Sequence, residues 1–120
     1  ERDNVVLKLH PKLAPIKLGV FPLVNKLEEK AKEVFNSLKN EFVSTYDRSG
    51  SIGRRYSRAD EIGVPYCVTV DFDTEKDKTV TLRNRDDAKQ VRIAIRDLRD
   101  KLNKLINNEL KFEDAGKLIN

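Results

Sequence analysis

The sequence predicts a three-layer α/β/α domain built on one mixed sheet. Three observations carry this. Short runs rich in Val, Ile, Phe and Thr alternate apolar and polar residues, and the stretches between the first of them repeat apolar residues at helical spacing. The early strand-like runs are separated by enough chain for crossover helices, whereas the later ones are joined by brief polar turns. A length of 120 residues accommodates one core and not two.

Residues 1–12 read as a connector. Val5 to Leu9 is extended in character, and Pro11 and Pro15 bracket a bend, so the domain proper is expected over residues 13–120. Ile16 to Phe21, closed by Pro22, forms the first strand. Asn25 opens a helix with Glu28 three residues on, and Leu27, Ala31, Val34, Phe35 and Leu38 supply its apolar stripe. Phe42 to Tyr46, β-branched and aromatic, is the second strand. The turn Asp47 to Ser51 leads into a second helix with Ser51 as N-cap; Ile52, Tyr56, Ala59 and Ile62 share one stripe, and Arg54 and Arg58 lie opposite. Gly63 and Pro65 stop it.

Tyr66, Val68, Val70 and Phe72 alternate with polar or small residues and make the third strand, followed by a polar turn over residues 74–78. Thr79 to Arg83 is the fourth strand. The next stretch fits strand or helix; Lys89 to Ala94 is read as a fifth strand, hairpinned through Arg85, Asp86 and Asp87, with a helix over residues 96–107. Residues 108–120 are expected to add a helical turn or a tail. Two crossovers make strands one to three parallel, and the two hairpins make strand four antiparallel to the rest.

Composition narrows the function classes. The formal charge of +4 permits a nucleic-acid partner without requiring one. A single cysteine, Cys67, excludes internal disulfides and Cys-cluster metal sites, and a single histidine, His10, gives little material for a histidine triad or a zinc hydrolase. No apolar run has the ~20 residues of a membrane span, so no membrane partner is expected. With no methionine and Glu1 in first place, the chain reads as a piece of something longer.

Charge is concentrated between Arg48 and Arg58, where four arginines stand without an acid. The loop around Gly50 exposes backbone N–H groups at a helix start, and Ser51, Arg54, Arg55 and Arg58 suit phosphates or the acceptor edges of bases. A capped helix with a solvated basic face is the plain alternative. A second candidate is Asp71, Phe72 and Asp73 at the end of strand three, expected beside Arg83 and Arg85 at the end of strand four. There a carboxylate can accept from a cytosine amino group, arginines can bind base edges and an exposed Phe can stack. Cross-strand ion pairs around a buried Phe72 are the alternative. Asp71 and Asp73 could instead hold Mg²⁺ in a phosphate-handling α/β domain. No catalytic constellation and no metal-ligand cluster emerges.

From Asp47 to Asp73 the chain reads DRSGSIGRRYSRADEIGVPYCVTVDFD, followed from Thr79 by TVTLRNRD. Together with LHPKLAPIKLGVFPLVNK, Leu9 to Lys26, this resembles the C-terminal anticodon-binding domain of archaeal and eukaryotic-type glycyl-tRNA synthetases, which belong to class II. Asn84 departs from it, since RDRD is the usual wording. The resemblance implies five strands in the order 2-1-3-4-5 with strand four antiparallel. It implies glycine tRNA as partner, with Arg54, Asp71, Phe72, Asp73 and Arg85 at the anticodon and Ser51, Arg55, Arg58 and Arg83 in phosphate or supporting contacts. It also implies a parent glycine–tRNA ligase, cytoplasmic and homodimeric, whose separate catalytic domain uses ATP and Mg²⁺. This domain by itself would then be a monomer without catalysis or cofactor. A free-standing accessory domain that kept the fold without reading an anticodon is the rival.

Overall fold

A computed structural model describes residues 5–119. Residues 5–17 run without helix or strand, so the expected extended character of Val5 to Leu9 produces no ladder. Strand β1 spans Leu18–Pro22, helix α1 Glu28–Leu38 after one 3₁₀ turn at Asn25–Leu27, and strand β2 Ser44–Tyr46. Helix α2 spans Ile52–Ile62 and strand β3 Tyr66–Val70. A short helix α3, Phe72–Asp77, replaces the expected polar turn. Strands β4, Thr79–Asn84, and β5, Gln90–Ala94, form the hairpin, and helix α4 covers Ile95–Ile106. The tail adds a 3₁₀ turn, Phe112–Asp114, and a two-residue strand β6, Lys117–Leu118.

The sheet has six strands, in the order β2-β1-β3-β4-β5-β6, so the expected five-stranded order gains one edge strand. Strands β1, β2 and β3 are parallel and β4 is antiparallel to β3 and β5. Strands β1, β3, β4 and β5 are covered on one face. Leu18, Val20, Val68, Val70, Val80, Leu82, Val91 and Ile93 point into a core closed by Ala31, Val34 and Leu38 of α1 and by Leu98, Leu102 and Leu105 of α4. Among the described residues the helix on the other face is α2, which packs Ala59 and Tyr56 over Phe21 and Cys67. Strands β4 and β5 direct Thr79, Thr81, Arg83, Gln90 and Arg92 to that face because these alternate with the core residues. The β4–β5 part of the second face is therefore polar: Thr81 and Arg83 are buried there, Arg83 against Asp60 and Tyr56 of α2, while Gln90 and Arg92 stay partly exposed.

The helices begin where the parallel strands end. Ser51 caps α2 by accepting from the Arg54 N–H at 3.3 Å, and Gly63 ends it with φ of 82°. Helix α3 forms because Asp71 is its N-cap: the Asp71 carboxylate accepts from the Asp73 N–H at 3.1 Å, while Thr74 Oγ1 accepts from the Asp71 N–H at 3.0 Å. This reciprocal cap turns Phe72 out of the sheet.

Candidate nucleic-acid interface

The strand ends, the starts of α2 and α3, and the open sheet face meet along one edge of the molecule. Between them Leu23, Ile52, Tyr56, Thr69, Asp71, Thr81 and Gln90 line a cleft of about 260 Å³. The Tyr56 hydroxyl and Thr69 Oγ1 share a hydrogen bond of 2.7 Å inside it, and burial raises the Tyr56 pKa.

In the arginine-rich segment, most of the charge is already committed. Arg58 donates from Nε and Nη2 to Asp47 Oδ2 at 3.1 and 2.7 Å, and from Nη2 to the Ser49 carbonyl at 2.7 Å. Burial works to raise the Asp47 pKa, but the hydrogen bonds from Arg58 and Ser49 outweigh it and hold the carboxyl below its ordinary value. Arg48 pairs with Glu28 at 2.8 Å. Arg55 is only 4% exposed and donates from Nη1 to the carbonyls of Pro22 and Asp47 at 2.5 and 3.3 Å, which stitches β1, β2 and α2 together. The guanidinium of Arg54 alone stands exposed with no hydrogen bond or ion pair among the described residues.

At the end of β3 the centre is Arg92, a β5 residue absent from the sequence-based candidates. Its Nη1 donates to Asp71 Oδ2 at 2.8 Å and to Thr81 Oγ1 at 3.1 Å, its Nε to Thr79 Oγ1 at 2.9 Å, and its Nη2 to Asp71 Oδ1. Asp71 also accepts from the Asp73 N–H, Thr74 Oγ1 and Thr81 Oγ1. Its carboxylate has no acceptor capacity left for a base, nor for the proposed Mg²⁺. Asp73 differs: its side chain is 59% exposed and lies 4.0 Å from Arg92. Phe72, 48% exposed, stands between these two acids. A charged residue in strict alternation with Val91 and Ile93 was the signal that marked Arg92 for the polar face.

The structure separates two residues from this group. Because β3 and β4 are antiparallel, with Tyr66 opposite Asn84 and Thr69 opposite Thr81, the end of β4 lies beside the start of β3. Arg85 thus sits at the far end of the sheet, roughly 20 Å from Phe72 by strand rise, and is 2% exposed. A groove formed by Arg54, Phe72 and Arg85 together does not exist. Arg83 is likewise buried away from Asp71; it binds both oxygens of Asp60 at 3.0 and 3.2 Å and lies over the Tyr56 ring, 4.6 Å from its centre. Phe72 is not the buried strand residue of the alternative reading, since its helix cap turns it outward.

Residues 17–105 match the family described as "Anticodon binding domain". The chain is 59% identical over 98 residues to a glycine–tRNA ligase of Malacoplasma penetrans (strain HF-2), covering 82% of this chain and 21% of that protein. It is 54% identical over 109 residues to one of Caldanaerobacter subterraneus subsp. tengcongensis, covering 91% of this chain and 23% of that protein. Both named relatives are bacterial, and the likeness is to glycine–tRNA ligases without distinction of the archaeal and eukaryotic type. The chain spans about a fifth to a quarter of such relatives. Its fold is similar to the crystal structure of the RNA-binding domain of threonyl-tRNA synthetase from Cryptosporidium parvum Iowa II, with a TM-score of 0.74 and 27% identity over 81% of this chain and 25% of that one.

Proposed function

Because this chain belongs to the anticodon-binding domain family, we propose that it reads the anticodon loop of glycine tRNA as one domain of a glycine–tRNA ligase. The observation that carries the reading is Phe72, a half-exposed aromatic ring beside the Asp71–Arg92 pair at the rim of the polar sheet face. RNA recognition of this kind works on unstacked loop bases that stack on aromatic rings and offer their edges to polar side chains. Phe72 supplies the stacking surface. Asp73 supplies an acceptor for a cytosine amino group, and Arg54 the donor for base edge or phosphate. Ser51, Arg55 and Arg58 support the α2 end of this surface, while Asp71 shapes it and Arg83 holds α2 in place behind it.

In the same reading the parent is a cytoplasmic homodimer of the archaeal and eukaryotic type, here with bacterial kin. Residues 1–12 connect a preceding catalytic domain, which uses ATP and Mg²⁺, to the reading domain at 13–120. The domain alone is a cofactor-free monomer. Among the described residues no helix is long and apolar enough to cross a membrane.

The test is a titration of the labelled domain with the glycine-tRNA anticodon stem-loop. Binding is expected to favour that loop over one with both anticodon cytosines replaced. Equal affinity for the two would refute the reading and leave the free-standing accessory domain in its place.

A further inference from the structure

The end of the sheet remote from Phe72 holds an arrangement that the reading above does not use. Arg85 is the largest of the fully buried side chains. Its Nε donates to Asp86 Oδ1 at 2.9 Å, its Nη1 to the Gly63 carbonyl at 3.0 Å, and its Nη2 to the Leu9 carbonyl, 76 positions away in sequence. Its own backbone N–H is held by the Pro65 carbonyl at 2.9 Å. Two residues earlier in the chain than Leu9, the Leu7 N–H donates to the Asp60 carbonyl at 2.9 Å. The Leu7 carbonyl and side chain occupy the space a Cβ on Gly63 would need, at 3.2–3.4 Å. Asp60 is itself locked by Arg83. Two buried arginines of β4 and its hairpin thus hold the end of α2, and residues 7–9 are laid across it.

Burying a guanidinium is costly unless its donors are satisfied, and here the long-range partners are main-chain carbonyls at the end of α2 and in the connector. The connector contributes little apolar burial in return, since Leu7 is 44% exposed and Val5 73%. A segment with so few buried apolar contacts is normally free to open locally. Polar contacts, not packing, fix its course.

We propose that Arg85 is a positioning residue: it latches the connector and so sets the direction in which the chain enters the domain. This rests on the reading of the chain as a ligase domain, because the latch then fixes the anticodon-reading edge relative to the catalytic domain that precedes it. The substrate is one tRNA held at both ends, so a swinging connector lowers the effective concentration of the second contact.

The test has two arms. In this chain, hydrogen exchange is expected to show a protected Leu7 amide that loses protection in Arg85→Met, while stem-loop affinity stays within twofold of the original. In the full-length protein, Arg85→Met is expected to lower kcat/KM for glycine tRNA at least tenfold and to leave glycine-dependent ATP–pyrophosphate exchange unchanged. Leu7→Pro removes the neighbouring donor while keeping Arg85, and is expected to reproduce the charging defect with stem-loop affinity unchanged if Arg85→Met does not fold. An unprotected Leu7 amide in the unaltered chain, or unchanged tRNA charging once protection is lost, would overturn the proposal. So would a fall in stem-loop affinity that matches the charging loss. Failure of the underlying reading looks different: the unaltered domain then binds no cognate stem-loop, although Leu7 protection still depends on Arg85.

Discussion

Arg92 of β5 and Asp71, just past the end of β3, face each other as a two-pronged guanidinium–carboxylate pair although β5 and β3 are not neighbours; β4 runs between them and adds Thr79 and Thr81 to the same network. Both side chains are 18% exposed, which places the pair between a surface ion pair, worth at most ~1 kcal/mol, and a fully buried one, which costs ~3–5 kcal/mol to break. Arg92→Ala and Asp71→Ala are each expected to destabilise the domain by about 2 kcal/mol in urea unfolding, with the double variant well short of the sum. Additive losses would show that the pair does not act as a unit.

Phe72 and its neighbours separate stacking from base choice. Phe72→Ala is expected to weaken stem-loop binding by about 1–3 kcal/mol for all loop sequences alike, with little change in Tm because the ring is half-exposed. Asp73→Asn should instead alter the preference for cytosine. For Arg54→Ala the salt dependence decides: a shallower slope with uniform loss marks a phosphate contact, a relaxed preference at one base marks an edge contact. Fluorescence titrations across a loop series at two salt concentrations read all three.

On the alkaline side, burial pushes the Cys67 thiol up to about 12 and, with Asp86 adding to it, the Tyr66 hydroxyl up to about 12. Each group stays protonated in the folded chain at a pH where the unfolded chain gives up its proton, so the unfolded state binds fewer protons and stability falls as pH rises. The stabilisation is complete below the ordinary thiol pKa of 9.0 and disappears as pH climbs through the folded value. For Cys67 the expected slope between is about 1.4 kcal/mol per pH unit, and Cys67→Ala should flatten it. Urea midpoints from pH 8 to about pH 11 measure this, and identical slopes with and without the thiol would contradict it.

Two glycines of α2 are expected to respond in opposite directions. Gly63, at φ of 82° and against the Leu7 carbonyl, should lose about 1–2 kcal/mol as Gly63→Ala. A Cβ at Gly53 meets nothing within 4 Å, so Gly53→Ala should gain about 0.5–1 kcal/mol from helix propensity. Thermal melts of the pair settle it.

Much of the fold was legible because it rests on local signals. Alternation marked β3, β4 and β5, apolar and β-branched runs marked β1 and the three-residue β2, and the Ser51 cap and Gly63 stop marked α2 to the residue. Helix α3 was missed because its cap is Asp71 with Thr74, a weaker pattern than serine with glutamate, and β6 is too short to have a period. The site was less legible, for two reasons. Charge ordinarily marks exposure, yet Arg55, Arg83 and Arg85 are buried against carbonyls and Asp60. The placement of Arg85 beside Phe72 neglected what the hairpin itself dictates, that the finish of one strand adjoins the beginning of its antiparallel partner.

On the second face α2 stops short of β5, where Gln90 and Arg92 stay partly exposed. Along that stretch the main chain is already hydrogen-bonded from strand to strand, so a guest laid on it finds only side chains to engage. Lettering on such a surface can be rewritten one residue at a time while the ladder beneath stays intact, which makes it a place where recognition can drift without refolding.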